Sequence, residues 1–336
     1  MIPATVIICT HNRAAILPRA VEVAVAEARA LGAPAEVVVV DNASTDATPG
    51  VIASLTERWG DVLRPVSEPS LGLSAARNRG LAVASGQVVA YLDDDAVPRR
   101  GWLQALLEAF QEPAVVCAGG RIVVRFGAGE PEWFRPELAA ALSGFDLGTA
   151  PRRLRYGRSG DVYPYGANIA FRTAAVRAAG GFSTLVGLRG TTLLAHEETD
   201  LCYRLEQAGG EIHYAPGAVV DHWVLGERLT PAWFLRRFEA GGRSAALFVL
   251  RNRGVARALW RLRWLYASVL LAPRYTPTVQ VDPERFAREC RRREAWGYVA
   301  GVASGLRRYR ELRTDGRESG APARDPAVQP PGRPRT

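Results

Sequence analysis

The apolar positions in the first 120 residues form short continuous runs that alternate with longer amphipathic segments. The runs predict strands at residues 5–10, 36–40, 61–66 and 87–92. The amphipathic segments predict helices at residues 14–31, 45–58, 73–84 and 101–111. Because the strand runs are rich in β-branched residues and do not alternate with polar ones, we expect both faces of the sheet to be covered. The alternation predicts an α/β fold with a Rossmann-like, doubly wound, mostly parallel sheet.

Beyond residue 120 the apolar pattern is less regular. The expected elements are strands at residues 121–126 and 163–171, a short helix at 173–179 and a longer helix at 196–210. Residues 211–224 are predicted as a strand, a turn and a second apolar segment. The pattern from 231 to about 313 is helical and mixes Arg with Trp, Leu and Phe. A stretch rich in Pro, Gly and Arg then predicts a disordered tail at 314–336.

Positive charge is concentrated in the last third of the chain. The 336 residues carry a formal net charge of +9, and every Lys or Arg position is an Arg. Residues 226–336 hold 23 Arg against 10 acidic residues, whereas residues 1–225 hold 20 against 24. This excess of arginine suggests that the last third of the chain has an anionic partner. The alternative is that the arginines are solvated on the surfaces of helices.

Cysteine spacing and hydropathy bear on the cellular compartment. The 4 cysteines lie far apart without a CxxC pair, which favours free thiols in a reducing compartment over a disulfide framework or a zinc site. The first apolar run is short and lacks a basic start, and no apolar run reaches the length of roughly 18 to 20 residues that a membrane span needs. We therefore expect a cytoplasmic location.

Polar clusters follow three of the four predicted strands of the first half. The candidate ligand-binding residues in them are Thr10, Asn12 and Arg13, then Asp41, Asn42 and Ser44, and then Asp93, Asp94 and Asp95. Ligands of doubly wound sheets bind outside the carboxyl ends of the strands, so we expect these clusters to converge on one rim. The fingerprint G-x-G-x-x-G is missing from the first turn, which argues against a nicotinamide or flavin domain.

The three consecutive aspartates raise the question of why like charges are placed side by side. Asp93 and Asp95 are two positions apart, so in an extended chain their side chains point to the same side. Hard divalent cations bind such oxygens, and Mg²⁺ typically combines one or two carboxylates with substrate phosphates. A divalent metal, Mg²⁺ or Mn²⁺, would explain the clustering, whereas a solvated turn is the alternative.

A second acidic group begins the predicted helix at residues 196–210. On a helical wheel Glu198 shares the apolar, inward-facing stripe, whereas Asp200 falls on the opposite side with Glu197 next to it. An inward-facing carboxylate at a helix N-terminus is a candidate catalytic base, and favourable interaction with the helix dipole is the alternative.

Two further residues have both a functional and a structural interpretation. His222 ends an apolar segment and could bind a metal or contact a phosphate, although a histidine beside a tryptophan is also typical of a packed core. Arg77 lies on the helix that precedes the aspartate strand and could reach a diphosphate, whereas exposed helix arginines commonly contact only solvent.

Five sequence blocks resemble, in the same order, the family-2 glycosyltransferases of the GT-A fold. These blocks are residues 5–17, 37–48, 68–98, 163–172 and 196–205. The resemblance covers about residues 4–240 and implies inverting transfer of a sugar from a nucleotide-diphosphate sugar, with UDP as the commonest nucleotide, to a hydroxyl acceptor. The implied acceptor is a glycan or a lipid-linked molecule, as in the synthesis of polysaccharides, glycolipids or other cell-envelope glycans.

The resemblance also implies roles for individual residues. Thr10, Asn12 and Asp41 would hold the nucleoside with Asn42 and Ser44 nearby, Asp93 would lie against the ribose, and Asp95 would bind the metal. Glu198 occupies the place of the family's catalytic base, which is commonly the Asp of a Glu-Asp pair. Here the pair is Glu197-Glu198, so the base would be one methylene longer. His222 matches a histidine that often completes the metal–diphosphate site.

These inferences divide the chain into three regions. Residues 1–225 are predicted as the catalytic domain, with a nucleotide-binding half at about 1–120 and an acceptor half at about 121–225. A basic, aromatic-rich helical region follows at 226–313, before the tail. Two interpretations of that helical region remain open: contact with an anionic membrane, which would bring the protein to the inner face of the cell membrane, or packing against the catalytic core.

Two other functions compete with sugar transfer. A nucleotidyltransferase would need a Gly-rich, basic phosphate loop after the first strand, and the sequence there is not of that type. A non-catalytic protein that binds polyanions or nucleic acid would rely on the arginine-rich last third and would lose affinity steeply with salt. We expect no specific nucleic-acid partner.

Overall fold

A computed structural model of the chain describes residues 3–127, 129–157, 162–185, 193, 196–270 and 282–314. Residues 315–336, which make up nearly all of the predicted disordered tail, lie outside this description, as does most of the stretch between Leu185 and His196. In the described part, nine strands form one sheet in the order β3-β2-β1-β4-β8-β6-β9-β5, with β7 paired to β9.

The first half of the sheet is parallel, as the sequence predicts. Its elements are β1 (Ala4–Thr10), α1 (Leu17–Ala30), β2 (Ala35–Asp41), α2 (Thr48–Trp59), β3 (Leu63–Ser67), α3 (Leu73–Val83) and β4 (Val88–Asp93). Strands β3, β2, β1 and β4 lie side by side in the same direction. The apolar runs of β1, β2 and β4 are buried because helices cover both faces. Their carboxyl ends, with the three polar clusters, therefore meet at one rim.

The second half makes the sheet mixed. Its elements are β5 (Ala96–Pro98), α4 (Trp102–Glu108), β6 (Val115–Phe126), β7 (Arg152–Leu154), β8 (Asn168–Arg172), α5 (Thr173–Ala178), α6 (Glu197–Gln207) and β9 (Glu211–Val224), with 3₁₀ turns at residues 109–111, 136–142 and 226–228. Strand β8 is antiparallel to both β4 and β6, whereas β9 is parallel to β6. Only the first half is purely parallel, and the prediction of a doubly wound α/β sheet holds.

Residues 211–224 form one strand and not two segments joined by a turn. The pairing of β9 with β6 shifts in register between Gly120 and Arg121, whose partners are Ala215 and Val219. The extra residues are accommodated as a bulge, which is where the sequence suggested a turn. The bulged strand continues to His222, which pairs with Ala96 of β5 beside the aspartates.

The C-terminal helices are α7 (Pro231–Leu270), α8 (Pro283–Arg307) and α9 (Tyr309–Thr314). α7 and α8 pack closely where glycines face backbone: a Cβ on Gly242 would lie 1.9 Å from the Glu294 carbonyl oxygen, and one on Gly297 would lie 1.9 Å from that of Glu239. α7 is interrupted at Gly254, whose φ of 80° is in the left-handed region. Part of this helical region packs on the core, since Phe248 of α7 contacts Tyr156 and Tyr203.

The helical-wheel prediction for α6 is wrong on one side. Asp200 and Glu197 were expected to face outward, but both are buried, with relative exposures of 0% and 2%. Two different helices cover these side chains: Arg251 and Asn252 of α7 both bond to the Asp200 carboxylate, at 2.9 and 2.7 Å, and Arg77 of α3 donates to Glu197 at 2.9 Å. A wheel drawn for one helix cannot anticipate a second layer of helices.

Candidate active site

Two carboxylates and an imidazole meet where β4, β5 and β9 come together. Asp93 ends β4, Asp95 lies between β4 and β5, and His222 is placed next to them by the pairing of β9 with β5. One potential ligand atom from each of the three lies within 4.8 Å of the others. The structure thus brings together the three residues that the sequence suggested as metal ligands.

Asp95 is the most strongly paired of the three aspartates. Its Oδ1 atom lies 3.0 Å from His222 Nε2, and its Oδ2 atom accepts a hydrogen bond of 3.1 Å from Arg228 Nη1. Burial opposes ionisation of Asp95, but the charges of His222 and Arg228 outweigh it and lower its pKa to about 2. The pKa of His222 is raised overall. Burial by itself would lower it, but the contact with the Asp95 carboxylate outweighs burial.

Asp94 points away from this pair towards β1. Its Oδ2 atom accepts a hydrogen bond of 2.7 Å from the Thr10 hydroxyl. Burial and the neighbouring charge of Asp95 raise the pKa of Asp94 to about 7, although the hydrogen bond from Thr10 favours the ionised form. Burial likewise raises the pKa of Asp93, which Arg77 partly offsets. Three adjacent carboxyls therefore differ in their affinity for protons because they have different neighbours.

The polar ends of β1 and β2 are bonded mainly to each other. Asn12 has a positive φ of 54°, and its Oδ1 atom accepts a hydrogen bond of 2.7 Å from the Thr45 backbone N–H. The Ser44 hydroxyl accepts a bond from the Asn12 N–H, and the Asp41 carboxylate accepts one from the Ser44 N–H. Asn12, Asp41 and Ser44 thus form a scaffold that fixes the shape of the rim.

Asn42 fixes the loop before α3. Its Nδ2 atom donates to the carbonyl oxygens of Glu68 and Ser70, at 3.0 and 2.8 Å, and its Oδ1 atom accepts from the Gly72 N–H at 2.8 Å. These three bonds hold Gly72 at the edge of the rim. The Asn42 side chain therefore holds this loop in place, and it also lies at the rim.

The rim opens into a cleft of about 580 Å³. Seven of the residues proposed from the sequence line it, namely Thr10, Arg13, Asn42, Asp93, Asp94, Asp95 and His222. Six others do not line it, namely Asn12, Asp41, Ser44, Arg77, Glu197 and Glu198. The first group can touch a ligand in the cleft. In the second group, Glu197 and Glu198 lie close enough to the cleft residue Arg237 for their charges to interact with it.

A buried arginine connects the aspartates with the acidic start of α6. Arg77 Nη1 donates to Glu197 Oε1 at 2.9 Å, and Arg77 Nη2 lies 3.6 Å from Asp93 Oδ1. The guanidinium is buried and also lies over the ring of Phe182, at 5.4 Å. Arg77 is therefore neither exposed to solvent nor open to the cleft: it bridges two acidic elements that are more than a hundred residues apart in sequence.

Glu197 and Glu198 are buried side by side and have different partners. Burial and the charge of Glu198 raise the pKa of Glu197 to about 8, although Arg77 lowers it. Among the described residues, Glu198 Oε2 is buried without a hydrogen-bond partner. Such an oxygen keeps a free lone pair, so Glu198 has the unused accepting capacity that a proton acceptor needs.

Sequence reasoning missed three cleft residues that follow β9: Arg228, Trp233 and Arg237. Arg237 donates to the Leu193 carbonyl oxygen at 2.9 Å and is close enough to Glu198 for their charges to interact. Burial lowers its pKa. The sequence contained one signal, the excess of arginine after residue 226, but nothing in it separated a cleft arginine from a surface one.

The donor set at the aspartates suits a hard divalent cation. Asp93 and Asp95 offer carboxylate oxygens, His222 offers an imidazole nitrogen, and the His222 Nδ1 atom is buried without a partner among the described residues. Carboxylates suit Mg²⁺ and Mn²⁺, and a mixed oxygen and imidazole set remains compatible with a transition metal. The residues present therefore fit a divalent metal ion.

Comparison with known proteins bears on this site. The sequence model of the family described as Glycosyl transferase family 2 matches residues 5–179. The matched segment contains the three polar clusters and Arg77, whereas Glu198 and His222 lie beyond it. Arg228, Trp233 and Arg237, which line the cleft, also lie outside the matched segment.

Curated relatives match over part of their length. A pre-mycofactocin glycosyltransferase of Mycobacterium tuberculosis is 37% identical over 189 residues, which cover 54% of this chain and 36% of the relative. A glucosyl-dolichyl phosphate glucuronosyltransferase of Haloferax volcanii is 30% identical over 179 residues, covering 53% of this chain and 56% of the relative. The succinoglycan biosynthesis protein ExoM of Rhizobium meliloti is 28% identical, covering 67% and 69%. The chain thus spans between about a third and a little over half of the first two relatives.

Two solved structures share the fold. A mannosyltransferase of Pyrobaculum calidifontis, determined with GDP-Man and Mn²⁺, superposes with a TM-score of 0.54 at 20% identity, covering 91% of this chain and 76% of the other. GalNAc-T7, determined with UDP, GalNAc and Mn²⁺, gives a TM-score of 0.55 at 17% identity, covering 93% and 58%. At this level of identity the likeness concerns the fold.

Proposed function

Because the chain belongs to glycosyl transferase family 2 and has the GT-A fold, we propose that it is an inverting, metal-dependent enzyme that transfers a sugar from a nucleotide-diphosphate sugar to a hydroxyl acceptor. The observation that carries this proposal is the arrangement around Arg77, which joins the aspartates of the cleft to the acidic pair on α6. In-line displacement needs both elements: a cation site for the leaving group and a base for the attacking hydroxyl.

The donor binds with its diphosphate at the aspartates. Asp93, Asp95 and His222 would hold Mg²⁺ or Mn²⁺, which when bound neutralises charge that builds on the leaving diphosphate. Arg228 and Arg237 line the same cleft and add fixed positive charge next to that group. Both structural neighbours were determined with Mn²⁺ and a nucleotide diphosphate or its sugar, which supports this choice of ligand class.

The nucleoside lies along the carboxyl ends of β1 and β2. Thr10, Arg13, Asn42 and Asp94 line the cleft there and can contact the base and the ribose. Asn12, Asp41 and Ser44 do not line the cleft. Their side chains bond to the loops that follow β1 and β2, so they would support the nucleoside site indirectly. UDP is the first nucleotide to test, with GDP and dTDP as the alternatives.

Glu198 does not itself line the cleft, but it interacts with the cleft residue Arg237 and has an unpartnered Oε2 atom within the described residues, and in this proposal it accepts the proton of an acceptor hydroxyl that reaches it from the cleft. As that proton moves to the Glu198 carboxylate, the hydroxyl oxygen forms a bond to C1 of the sugar, and the bond from C1 to the diphosphate oxygen breaks with its electron pair leaving on the diphosphate. Attack from the opposite face inverts the configuration at C1. Glu197 keeps its neighbour in place through its contact with Arg77 and is not the base itself.

The acceptor is a glycan or a lipid-linked molecule. Trp233 lines the cleft and offers an aromatic face to a sugar ring, and Leu142 and Leu193 add apolar surface near it. A role in envelope or exported glycan synthesis is consistent with the relative named for succinoglycan biosynthesis. Neither a nucleotidyltransferase nor a non-catalytic polyanion-binding protein gains support from the family match.

Contact with an anionic membrane surface is part of this proposal. Large apolar side chains are exposed on α7 and α8 near arginines, namely Leu259, Trp260, Trp296, Val299 and Leu306. Arg257 stacks 4.2 Å from the Trp260 ring, so charge and aromatic surface occur together. Within the described residues, none of the helices combines the length and the hydropathy of a membrane span. Flotation with anionic vesicles at low salt tests the contact, and a protein that stays at the bottom of the gradient contradicts it.

The central experiment is nucleotide-sugar turnover by the purified chain. UDP-, GDP- and dTDP-sugars are each incubated with Mn²⁺ or with EDTA, and release of the nucleoside diphosphate is measured. We expect release from one nucleotide class, abolished by EDTA, by Asp95→Ala and by Glu198→Gln. Release that persists in both variants would falsify the assignment of the site.

A further inference from the structure

A second concavity lies behind α6, at the point where α7 is interrupted. Its volume is about 440 Å³, and its walls come from the end of α6 and the middle of α7. It shares no lining residue with the cleft. Nothing in the proposed transfer reaction uses this concavity, so a role for it is independent of that reaction.

The charged side chains that line this concavity, in the described part of the chain, are all arginines: Arg204, Arg251 and Arg253. We call this surface the arginine pocket. Arg204 Nε and Arg251 Nε both contact the buried carboxylate of Asp200, each at 2.9 Å. Arg204 also donates to the Ala179 and Gly181 carbonyl oxygens, and Arg251 donates to that of Leu312. These two guanidiniums are therefore held in place by the protein, and Arg253 is the one that can turn its N–H groups to a ligand.

The third arginine is not paired with an acid in the described part of the chain. Arg253 is exposed, and its guanidinium lies 5.7 Å from the ring of Tyr156. The nearby carboxylate of Glu206 is already bonded by the Tyr163 hydroxyl and by the Tyr156 N–H. Stacking on a ring orients a guanidinium and leaves its N–H groups able to donate.

The interruption of α7 shapes the pocket. Gly254 also lines it, and its φ of 80° and ψ of 175° break the helix immediately after Arg253. A residue with a side chain adopts such a φ only with strain, so this turn depends on glycine. The neighbouring Asn252 also lines the pocket, with its Nδ2 atom held 2.7 Å from Asp200. Contacts with Asp200 thus hold Asn252, Arg204 and Arg251 in place, whereas Arg253 is exposed.

We propose that the arginine pocket binds a phosphate group, carried as a phosphate ester or a diphosphate. Guanidiniums donate in a planar fork that matches two phosphate oxygens, and they keep their charge at any physiological pH. The volume holds a diphosphate or a lipid headgroup, and both sources present the same oxygens. Occupancy would also be felt on α6, because Arg204 and Asp200 belong to the helix that begins with Glu197 and Glu198.

The test is a calorimetric titration of the full chain with inorganic pyrophosphate, at low salt and in EDTA. Arg253→Gln removes the unpaired guanidinium, and Arg257→Gln is the matched control, because Arg257 is also exposed on α7 but does not line the pocket. We expect Arg253→Gln to weaken binding about tenfold, the effect of losing a charged hydrogen bond, and Arg257→Gln to change it less than twofold. Melting temperatures without pyrophosphate should match, since both side chains are exposed.

Three results overturn the proposal. Wild-type protein that binds no pyrophosphate at millimolar concentration excludes the site. Equal affinity in wild type and Arg253→Gln places any binding outside the arginine pocket. Equal losses in both variants indicate attraction by net charge alone.

A second arm identifies the source of the phosphate. Vesicles containing phosphatidylglycerol are floated with wild type, Arg253→Gln and, as the control in this arm, Arg236→Gln, because Arg236 is exposed on α7 and lines neither the pocket nor the cleft. Capture that is lost only in Arg253→Gln supports a lipid headgroup in the arginine pocket. Pyrophosphate binding that depends on Arg253, without vesicle capture that does, supports a soluble phosphorylated ligand.

Discussion

Arg77 Nη1 lies 2.9 Å from Glu197 Oε1, and both side chains are buried. The same guanidinium lies 3.6 Å from Asp93, so one cation stands between the aspartates of the cleft and the acids of α6. We expect Arg77→Ala to lower the free energy of unfolding by about 3 kcal/mol, because it leaves the buried Glu197 carboxyl and the half-buried Asp93 without their shared partner. Urea unfolding measures the change.

The control for that substitution is an exposed ion pair. Arg29 contacts Asp61 at 2.7 Å with both side chains largely in solvent. Arg29→Ala should cost less than about 1 kcal/mol, the range of surface pairs. Equal losses in the two variants would show that the bridge at Arg77 has no special stabilising role.

Glu197 should make stability depend on pH. Its pKa in the folded chain is about 8, above the ordinary value of 4.5, because burial and Glu198 disfavour its charge. As pH rises from about 5 to 8, the unfolded state loses this proton while the folded state retains it, so the free energy of unfolding falls over that window. Glu197→Gln should remove this fall: it should match wild type near pH 5 and be the more stable of the two near pH 8. Parallel pH profiles would contradict the assignment.

Glu197 and Glu198 should differ in their effect on turnover. Glu198→Gln removes the proposed base and is expected to lower kcat by at least about 100-fold, the lower end of what general base catalysis contributes. Glu197→Gln should have a smaller effect on kcat, since its side chain bonds to Arg77 and not to a substrate. Steady-state kinetics on the same donor compares them, and the reverse ranking would move the base to Glu197.

The metal site can be tested without substrate. Mn²⁺ at a hundred times its dissociation constant should stabilise the folded chain by about 2.7 kcal/mol, visible as a rise in melting temperature. Asp95→Ala and His222→Ala should abolish the rise, because each removes one of three clustered ligands. Asp61→Asn, at an exposed carboxylate, serves as the control and should retain it.

Two adjacent arginines on α7 allow the effect of a cleft residue on turnover to be compared with that of a surface residue. Arg237 lines the cleft, whereas Arg236 is exposed and does not. We expect Arg237→Gln to lower kcat/KM about tenfold or more through loss of a charged contact, and Arg236→Gln to leave it unchanged. Similar values for the two variants would mean that Arg237 acts on packing and not on a substrate.

The sequence predicted the parts of the site that depend on strand order. Asp93, Asp95 and Thr10 could be placed together because the carboxyl ends of parallel strands meet at one rim, and continuous apolar runs identified those strands. The bounds of the helices and strands in the first half agree with prediction to within a few residues. Local periodicity suffices where the neighbours of an element are set by a regular topology.

The sequence could not predict contacts between distant layers. Arg77 meets Glu197 across 120 positions, and Asp200 is buried only because α7 lies over α6. The same holds for Arg237, which looks like any other arginine of the basic region until α7 is positioned. Such contacts depend on how helices pack in three dimensions, and no spacing rule within one segment encodes them.

The residues that line the cleft come from two parts of the chain. The aspartates come from the segment shared with the family, whereas Arg228, Trp233 and Arg237 come from the chain after residue 225. Under the proposed function, exchanging that later segment between relatives would change the charge around the diphosphate, because Arg228 bonds to Asp95, as well as the surface offered to the acceptor. Selection acting on the last third of the chain would therefore alter both sides of the cleft while the aspartates stayed the same.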